Sequence, residues 1–209
     1  MEQRYMPIKE IETRSDDNDD LYIEGYFVVF DDVYKVCPGA TESIARGAFA
    51  DSIGGDVRAL YNHNHDLVLG RSGAGTLTLK EDEHGLYGRI KVNRNDTDAM
   101  NAYQRIQRGD ISGASFGFEI ADEVSEIREN GDVHWTIRKV DPLYEISPCV
   151  FPAYQGTAIG TRAKDLEAIR QRQADSKKAL IDSWATNLRT KLKGETTDGT
   201  GSITSEKED

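Results

Sequence analysis

The chain is poor in the residues that mark several large classes of protein. It has two cysteines in 209 residues, Cys37 and Cys149, too few and too widely spaced for a disulfide framework or a thiolate metal site. Neither lies beside a histidine, as a thiol enzyme would ask, so both read as reduced structural thiols. No apolar run approaches the ~20 residues that cross a bilayer, and residues 1–7 have no apolar stretch of the secretory kind. The expected compartment is a cytoplasm, with no membrane partner. Basic residues are outnumbered, 26 Lys and Arg against 37 Asp and Glu, and the net charge of −11 argues against nucleic acid or an anionic membrane as a direct partner. An apolar content of 37% predicts solvated segments around one ordinary domain. Histidine is scarce as well. His63, His65, His84 and His134 are the four present, and any imidazole chemistry is confined to them.

What is present is mostly strand. Residues 21–30 are rich in aromatic and β-branched types and bounded by the acidic turn 16–20, which predicts a strand. The runs 57–61, 75–80, 86–92, 115–120, 133–140 and 144–151 read the same way, separated by Gly, Asn and Asp clusters. Asn130-Gly131 between two of them is a hairpin signal. Two short helices are expected: a weak one over 47–53, and a clearer one over 96–108. The second has Asp96 as N-cap, Ala99, Met100, Tyr103 and Ile106 on one face, and Gly109 just past its end. Strands outnumber helices without regular alternation. The predicted fold is therefore α+β and β-dominated, an antiparallel, barrel-like sheet closed or nearly closed, with a few surrounding helices and a C-terminal helical tail. After residue 161, Leu166, Ile169, Gln173, Leu180, Trp184 and Leu188 form a sparse stripe. It predicts an amphipathic helix over 163–193 that packs on the domain, a second copy or a partner's helix. The expected organisation is a flexible arm over 1–20, a domain over 21–162, that helix, and a disordered tail over 194–209.

Gly113-Ala114-Ser115-Phe116-Gly117 satisfies G-x-S-x-G, the pattern that places a nucleophilic serine on a strand-to-helix turn in α/β-hydrolases. Here Phe116, Phe118 and Ile120 alternate with small or polar residues, so Ser115 begins a strand instead. Gly113 permits a tight backbone, and Gly117 leaves space beside the hydroxyl. A serine needs a base to attack a carbonyl. His84 in an acidic turn and His134 after a hairpin turn read as surface residues. His63 and His65 follow a buried-strand pattern, and on an extended chain both would face one pocket. The bland alternative keeps them, with Asp66, as polar loop residues. A carboxylate should orient the imidazole. Glu145 sits inside an apolar run where an ionised group needs a partner, with Asp141 as second choice; an arginine, Arg58 or Arg71, is the competing partner for Glu145. A metal-dependent hydrolase built on His63, His65 and Asp66 is a rival reading, and a noncatalytic scaffold or assembly-binding protein is another.

Several blocks occur in order: Val57-Arg58-Ala59-Leu60-Tyr61-Asn62-His63, Leu69-Gly70-Arg71, Gly75-Thr76-Leu77-Thr78-Leu79, Gly85-Leu86-Tyr87, Gly109-Asp110-Ile111-Ser112-Gly113-Ala114-Ser115-Phe116-Gly117-Phe118, Tyr144-Glu145-Ile146-Ser147 and Phe151-Pro152-Ala153. Together, from about Tyr22 to Arg162, they resemble the tailed-phage prohead protease family. The resemblance implies a capsid maturation serine protease with a herpesvirus assembly protease-like fold, acting inside the phage prohead in the host cytoplasm. Its implied substrates are the major capsid protein with its scaffolding segment, or a separate scaffold protein, and itself. No cofactor is implied. Carried over by resemblance, the histidine falls on His63 and the serine on Ser115. The third position falls on Glu145, with His65 as the rival because the herpesvirus enzymes use a second histidine there.

Overall fold

A computed structural model of the chain describes residues 2–6, 11–150 and 156–195. In chain order the strands are β1 (Glu2–Met6), β2 (Glu12–Ser15), β3 (Leu21–Val29), β4 (Tyr34–Cys37), β5 (Ala40–Ile44), β6 (Arg58–Tyr61), β7 (Asn64–Arg71), β8 (Leu77–Glu81), β9 (Gly85–Lys91), β10 (Gly113–Ile127) and β11 (Val133–Cys149). The helices are α1 (Thr97–Arg108) and α2 (Gly156–Glu195). The fold is α+β and strand-dominated. It divides into two units, residues 1–163 and 164–209.

In the first unit, one sheet runs β1-β10-β11-β5-β4, with β6 pairing both β11 and β7; the other runs β2-β3-β9-β8. Neither sheet closes on itself, so the barrel-like detail expected from the strand count is corrected. The reason lies in β11, which is long enough to pair in parallel with β5 at one end and with β6 at the other, spreading the sheet instead of curling it. Ile23, Phe27, Leu86, Ile90, Phe116, Phe118 and Ile146 are fully buried in a common core. The second sheet needs a glycine at one close approach: a Cβ on Gly88 would come within 2.8 Å of the Phe27 and Ile146 side chains.

The β10–β11 hairpin turns at Asn130-Gly131, with Gly131 in the left-handed region at φ 82° and Arg128 and Asp132 bonded across it, as the sequence predicts. Helix α1 is capped as expected. The Asp96 side chain accepts from the Asp98 and Ala99 N–H groups, Gly109 closes the other end at φ 85°, and Ala99, Ala102, Tyr103 and Ile106 are buried.

Other expectations change. Residues 47–53 form consecutive turns rather than a helix, because Gly47 is left-handed at φ 83°; the Glu81 carboxylate accepts the Gly47 and Phe49 N–H groups. The two strands expected over 133–140 and 144–151 are one strand, β11, which runs through a cis Asp141–Pro142 bond; Phe151 lies outside the described residues. The segment expected as a loose arm carries β1 on β10 and β2 on β3. His134, expected at the surface, is 4% exposed. It bridges β11 to β5 through Thr41 Oγ1 and Ser43 Oγ, each at 2.9 Å.

The second unit is described through α2, which is longer than the expected 163–193. Leu180, Trp184 and Leu188 of its stripe are exposed, as is Ile181 beside them, while Leu166 is buried. The tail beyond residue 195, expected to be disordered, lies outside the described residues. No described helix is long and apolar enough to cross a membrane.

Candidate active site

Strand alternation separates core from chemistry on β10. Phe116 and Phe118 stack at 4.7 Å between ring centroids, and Phe116 meets Phe49 edge-on at 5.8 Å, while Ser115 and Gly117 take the opposite face. Across the ladder Ser115 is paired with Ser147 and Gly117 with Glu145. Directly opposite residues of an antiparallel pair share a face, so Ser115, Ser147 and Glu145 form one polar patch, with Gly117 leaving room over Glu145. The ladder slips between Gly117 and Phe118, a β-bulge of the kind that re-aims side chains beside sites. Ser115 and Ser147 are fully buried, and Glu145 is 2% exposed.

His63 reaches this patch from a turn. β6 pairs in parallel with β11 at Glu145 and Ile146, and its last residue, Tyr61, pairs with Asn64 of β7. The two residues between, Asn62 and His63, are both left-handed at φ 53° and 59°, which makes a two-residue type I′ hairpin turn. Asparagine tolerates this conformation; for histidine it costs about 1–2 kcal/mol. The turn is fastened to the end of β11 by three bonds. The Asn62 N–H donates to Pro148 O at 3.1 Å, the Val150 N–H to Asn62 Oδ1 at 2.9 Å, and the His63 N–H to Ser147 Oγ at 3.3 Å.

The result is a part-buried contact of 2.6 Å between His63 Nδ1 and Glu145 Oε1. A neutral ring facing an ionised carboxylate, which only accepts, carries its proton on Nδ1 and leaves the Nε2 lone pair to take another. Nε2 is buried and has no hydrogen-bond partner among the described residues, so Ser115 shares the sheet face with Glu145 without bonding the ring. Such contacts commonly tighten only when substrate is bound. The second Glu145 oxygen accepts the Ser147 hydroxyl at 2.5 Å.

The sequence pattern of the caudovirus prohead serine protease family matches residues 9–172. The chain belongs to that family. It is similar to the prohead protease of Enterobacteria phage HK97, 29% identical over 153 residues, spanning 70% of this chain and 65% of the length of that relative. The solved structure of the bacteriophage T4 capsid assembly protease matches 73% of this chain and 100% of its own at a TM-score of 0.39 and 13% identity, too distant to add to the geometry above.

In this prohead protease family member three of the ordered blocks carry the patch: β6 with its turn, the start of β10 and the end of β11. Leu69-Gly70-Arg71 ends β7, where Gly70 pairs with Ala59 of β6. A Cβ on Gly70 would lie 2.9 Å from the Thr76 carbonyl oxygen, and Arg71 forks onto Asp56 at 2.8 and 2.6 Å. Arg71 holds the Asp56 carboxyl down to about 2. Arg58 also pairs with Asp56, at 3.2 Å, so neither arginine serves Glu145. His65 and Asp66 are exposed on β7: the turn reverses the chain at His63, and the shared pocket expected of His63 and His65 on an extended segment does not form. Asp141 is exposed. His84 is exposed and meets the Tyr26 ring edge-on at 4.4 Å. Among the described residues no three His, Cys, Asp or Glu side chains gather as a metal site would require. Sequence reasoning passed over Asn62 and Ser147. The signal for Ser147 was its position two residues after Glu145, on the same face of an apolar strand.

Proposed function

We propose that the chain is a serine endopeptidase of phage capsid maturation, which cuts the scaffolding segment of the major capsid protein, or a separate scaffold protein, and itself, inside the prohead in the host cytoplasm. The observation that carries the reading is the 2.6 Å contact of His63 Nδ1 with the buried Glu145 carboxylate, on the sheet face that holds Ser115 and with Nε2 unpartnered among the described residues. Ser115 Oγ attacks the peptide carbonyl carbon while its proton passes to His63 Nε2. Glu145 keeps the ring in the Nδ1–H tautomer and offsets the positive charge that forms. As the C–N bond breaks, Nε2 returns the proton to the leaving amine. Water then repeats the sequence on the acyl-enzyme and frees the acid.

An extended peptide reaches a buried serine most simply by adding a strand to the sheet. β1 holds the edge of β10 from Ala114 to Phe118, with Tyr5 opposite Ser115 in the ladder, so a substrate strand entering there takes the place of β1. The exposed stripe of α2 is proposed to dock on helical scaffold and to be trimmed during maturation. If removal of residues 164–209 leaves incorporation and processing unchanged, that role is lost.

The test is co-expression with capsid protein. Ser115→Ala and His63→Ala should fold and leave the capsid protein uncut. Full processing by either variant would falsify the assignment, and a change in assembly geometry alone would favour a noncatalytic scaffold role.

A further inference from the structure

We infer that Ser147 is a positioning residue of this site, a hydroxyl that ties the main chain of His63 to the carboxylate of Glu145 and so fixes the imidazole against its acceptor. The inference rests on the functional reading above. Ser147 is fully buried, and its Oγ makes two bonds of opposite sense. It donates to Glu145 Oε2 at 2.5 Å and accepts the His63 N–H at 3.3 Å. With the His63 Nδ1–H bond to Glu145 Oε1, these contacts close a ring in which the carboxylate is held at both oxygens and the histidine at both backbone and side chain. A carboxylate held at one oxygen can rotate about its terminal bond, and the imidazole then swings with it. One held at both cannot.

The ring shares one bond, His63 N–H to Ser147 Oγ, with the anchoring of the turn. Asn62 fastens the turn through its N–H to Pro148 and its Oδ1 to Val150, and both bonds are independent of Ser147. Loss of the Ser147 hydroxyl therefore removes one of the three bonds that hold the turn, keeps the two made by Asn62, and frees the aim of the ring. The directions of the bonds also separate Ser147 from the proposed nucleophile. Its proton is committed to Glu145 and its lone pair to a main-chain N–H, whereas Ser115 faces it across the ladder from the neighbouring strand.

The experiment uses the full chain and a fluorophosphonate, which phosphonylates an activated serine. Parent, Ser147→Ala, Ser147→Thr and Ser115→Ala proteins are compared by labelling kinetics, by mapping the labelled peptide, by thermal melting, and by the low-field proton signal of the His63 Nδ1–H. A misaimed base slows chemistry without weakening reagent binding. Ser147→Ala should keep the saturation constant, lower the maximal labelling rate at Ser115 by about 10²-fold, and shift or broaden the low-field proton. Ser147→Thr, which keeps the hydroxyl, should restore rate and signal. A Ser147→Ala protein that labels at the parental rate with an unmoved low-field proton overturns the inference and leaves the Ser115 reading intact. If Ser147→Ala abolishes labelling while Ser115→Ala keeps it, the nucleophile is Ser147 and both readings fall.

Discussion

Replacing Glu145 by glutamine keeps the size of a side chain that is 2% exposed and removes its charge. Two consequences follow from the contacts at its oxygens. Charge centres ~4 Å apart at an effective dielectric of 20 attract by ~4 kcal/mol. If the carboxylate offsets the imidazolium formed during attack, losing that term at ~1.4 kcal/mol per decade slows the step about 10³-fold. The amide also changes the hydrogen bonding. Where the carboxylate accepts at both oxygens, from His63 Nδ1 at 2.6 Å and from Ser147 Oγ at 2.5 Å, glutamine must present an NH2 group to one of them. Facing His63, it drives the ring proton to Nε2 and removes the base, an effect worth about 10⁴ in triads with the wrong tautomer. On the proposed function, the expected loss in cleavage rate is therefore ~10³ to 10⁴, with little change in melting temperature because the volume is conserved. Glu145→Ala should melt lower as well, since it leaves a buried ring N–H and a buried hydroxyl without their acceptor, at about 1–3 kcal/mol each. A folded Glu145→Gln protein that cleaves within tenfold of the parent would refute the reasoning and reduce Glu145 to a structural role.

The bridge made by His134 predicts an acid-sensitive fold. Burial, then the nearby Arg128, lowers its pKa from the ordinary 6.5, so the unfolded chain takes up this proton at a pH where the folded chain still resists it. Stability from this group is complete above about 6.5 and is lost as pH falls through the lower folded value. Melting temperatures from pH 7.5 down to 5.5 should decline more steeply for the parent than for His134→Asn, and parallel slopes would count against it. Cys149 should be inert in the native protein. Burial, and then the charge of Glu145, pushes its thiol up to about 12, and the thiolate is the reactive form. Peptide mapping after iodoacetamide at neutral pH should find Cys149 unmodified until the protein is denatured; modification at the rate of the denatured chain would contradict the burial.

Helix α1 was readable to the residue because its signals are local: a capping aspartate, an apolar face at helical spacing and a left-handed glycine. The Asn130-Gly131 turn was readable for the same reason. β1 and β2 were not, because Glu2-Gln3-Arg4-Tyr5-Met6 and Glu12-Thr13-Arg14-Ser15 carry no apolar alternation of their own. Each lies at the end of its strand order, and its strand character comes from the hydrogen-bonding edge of β10 or β3. β4 and β5 are likewise short, and they bury Glu42 against the Tyr34 hydroxyl. That pairing exists only once the hairpin at Pro38-Gly39 has closed.

At the candidate site the two strand residues were legible and the turn was not. Alternation put Ser115 on the face opposite Phe116 and Phe118, and a lone acid in an apolar run marked Glu145 as a residue in need of a partner. His63 was placed on an extended segment with His65, because the familiar signal for a two-residue hairpin turn is Asn followed by Gly, and here histidine holds the second position. A bulky residue at φ 59° violates the local preference, and the violation persists because Ser147 and Pro148 of β11 and Val150 just past its end hold the turn. Local rules fail most often where the surroundings impose a geometry the chain would not choose. The departure that hid the turn is thus the one that carries the imidazole to Glu145: with His63 on an extended strand the ring would follow the β7 face shared by His65, which is exposed.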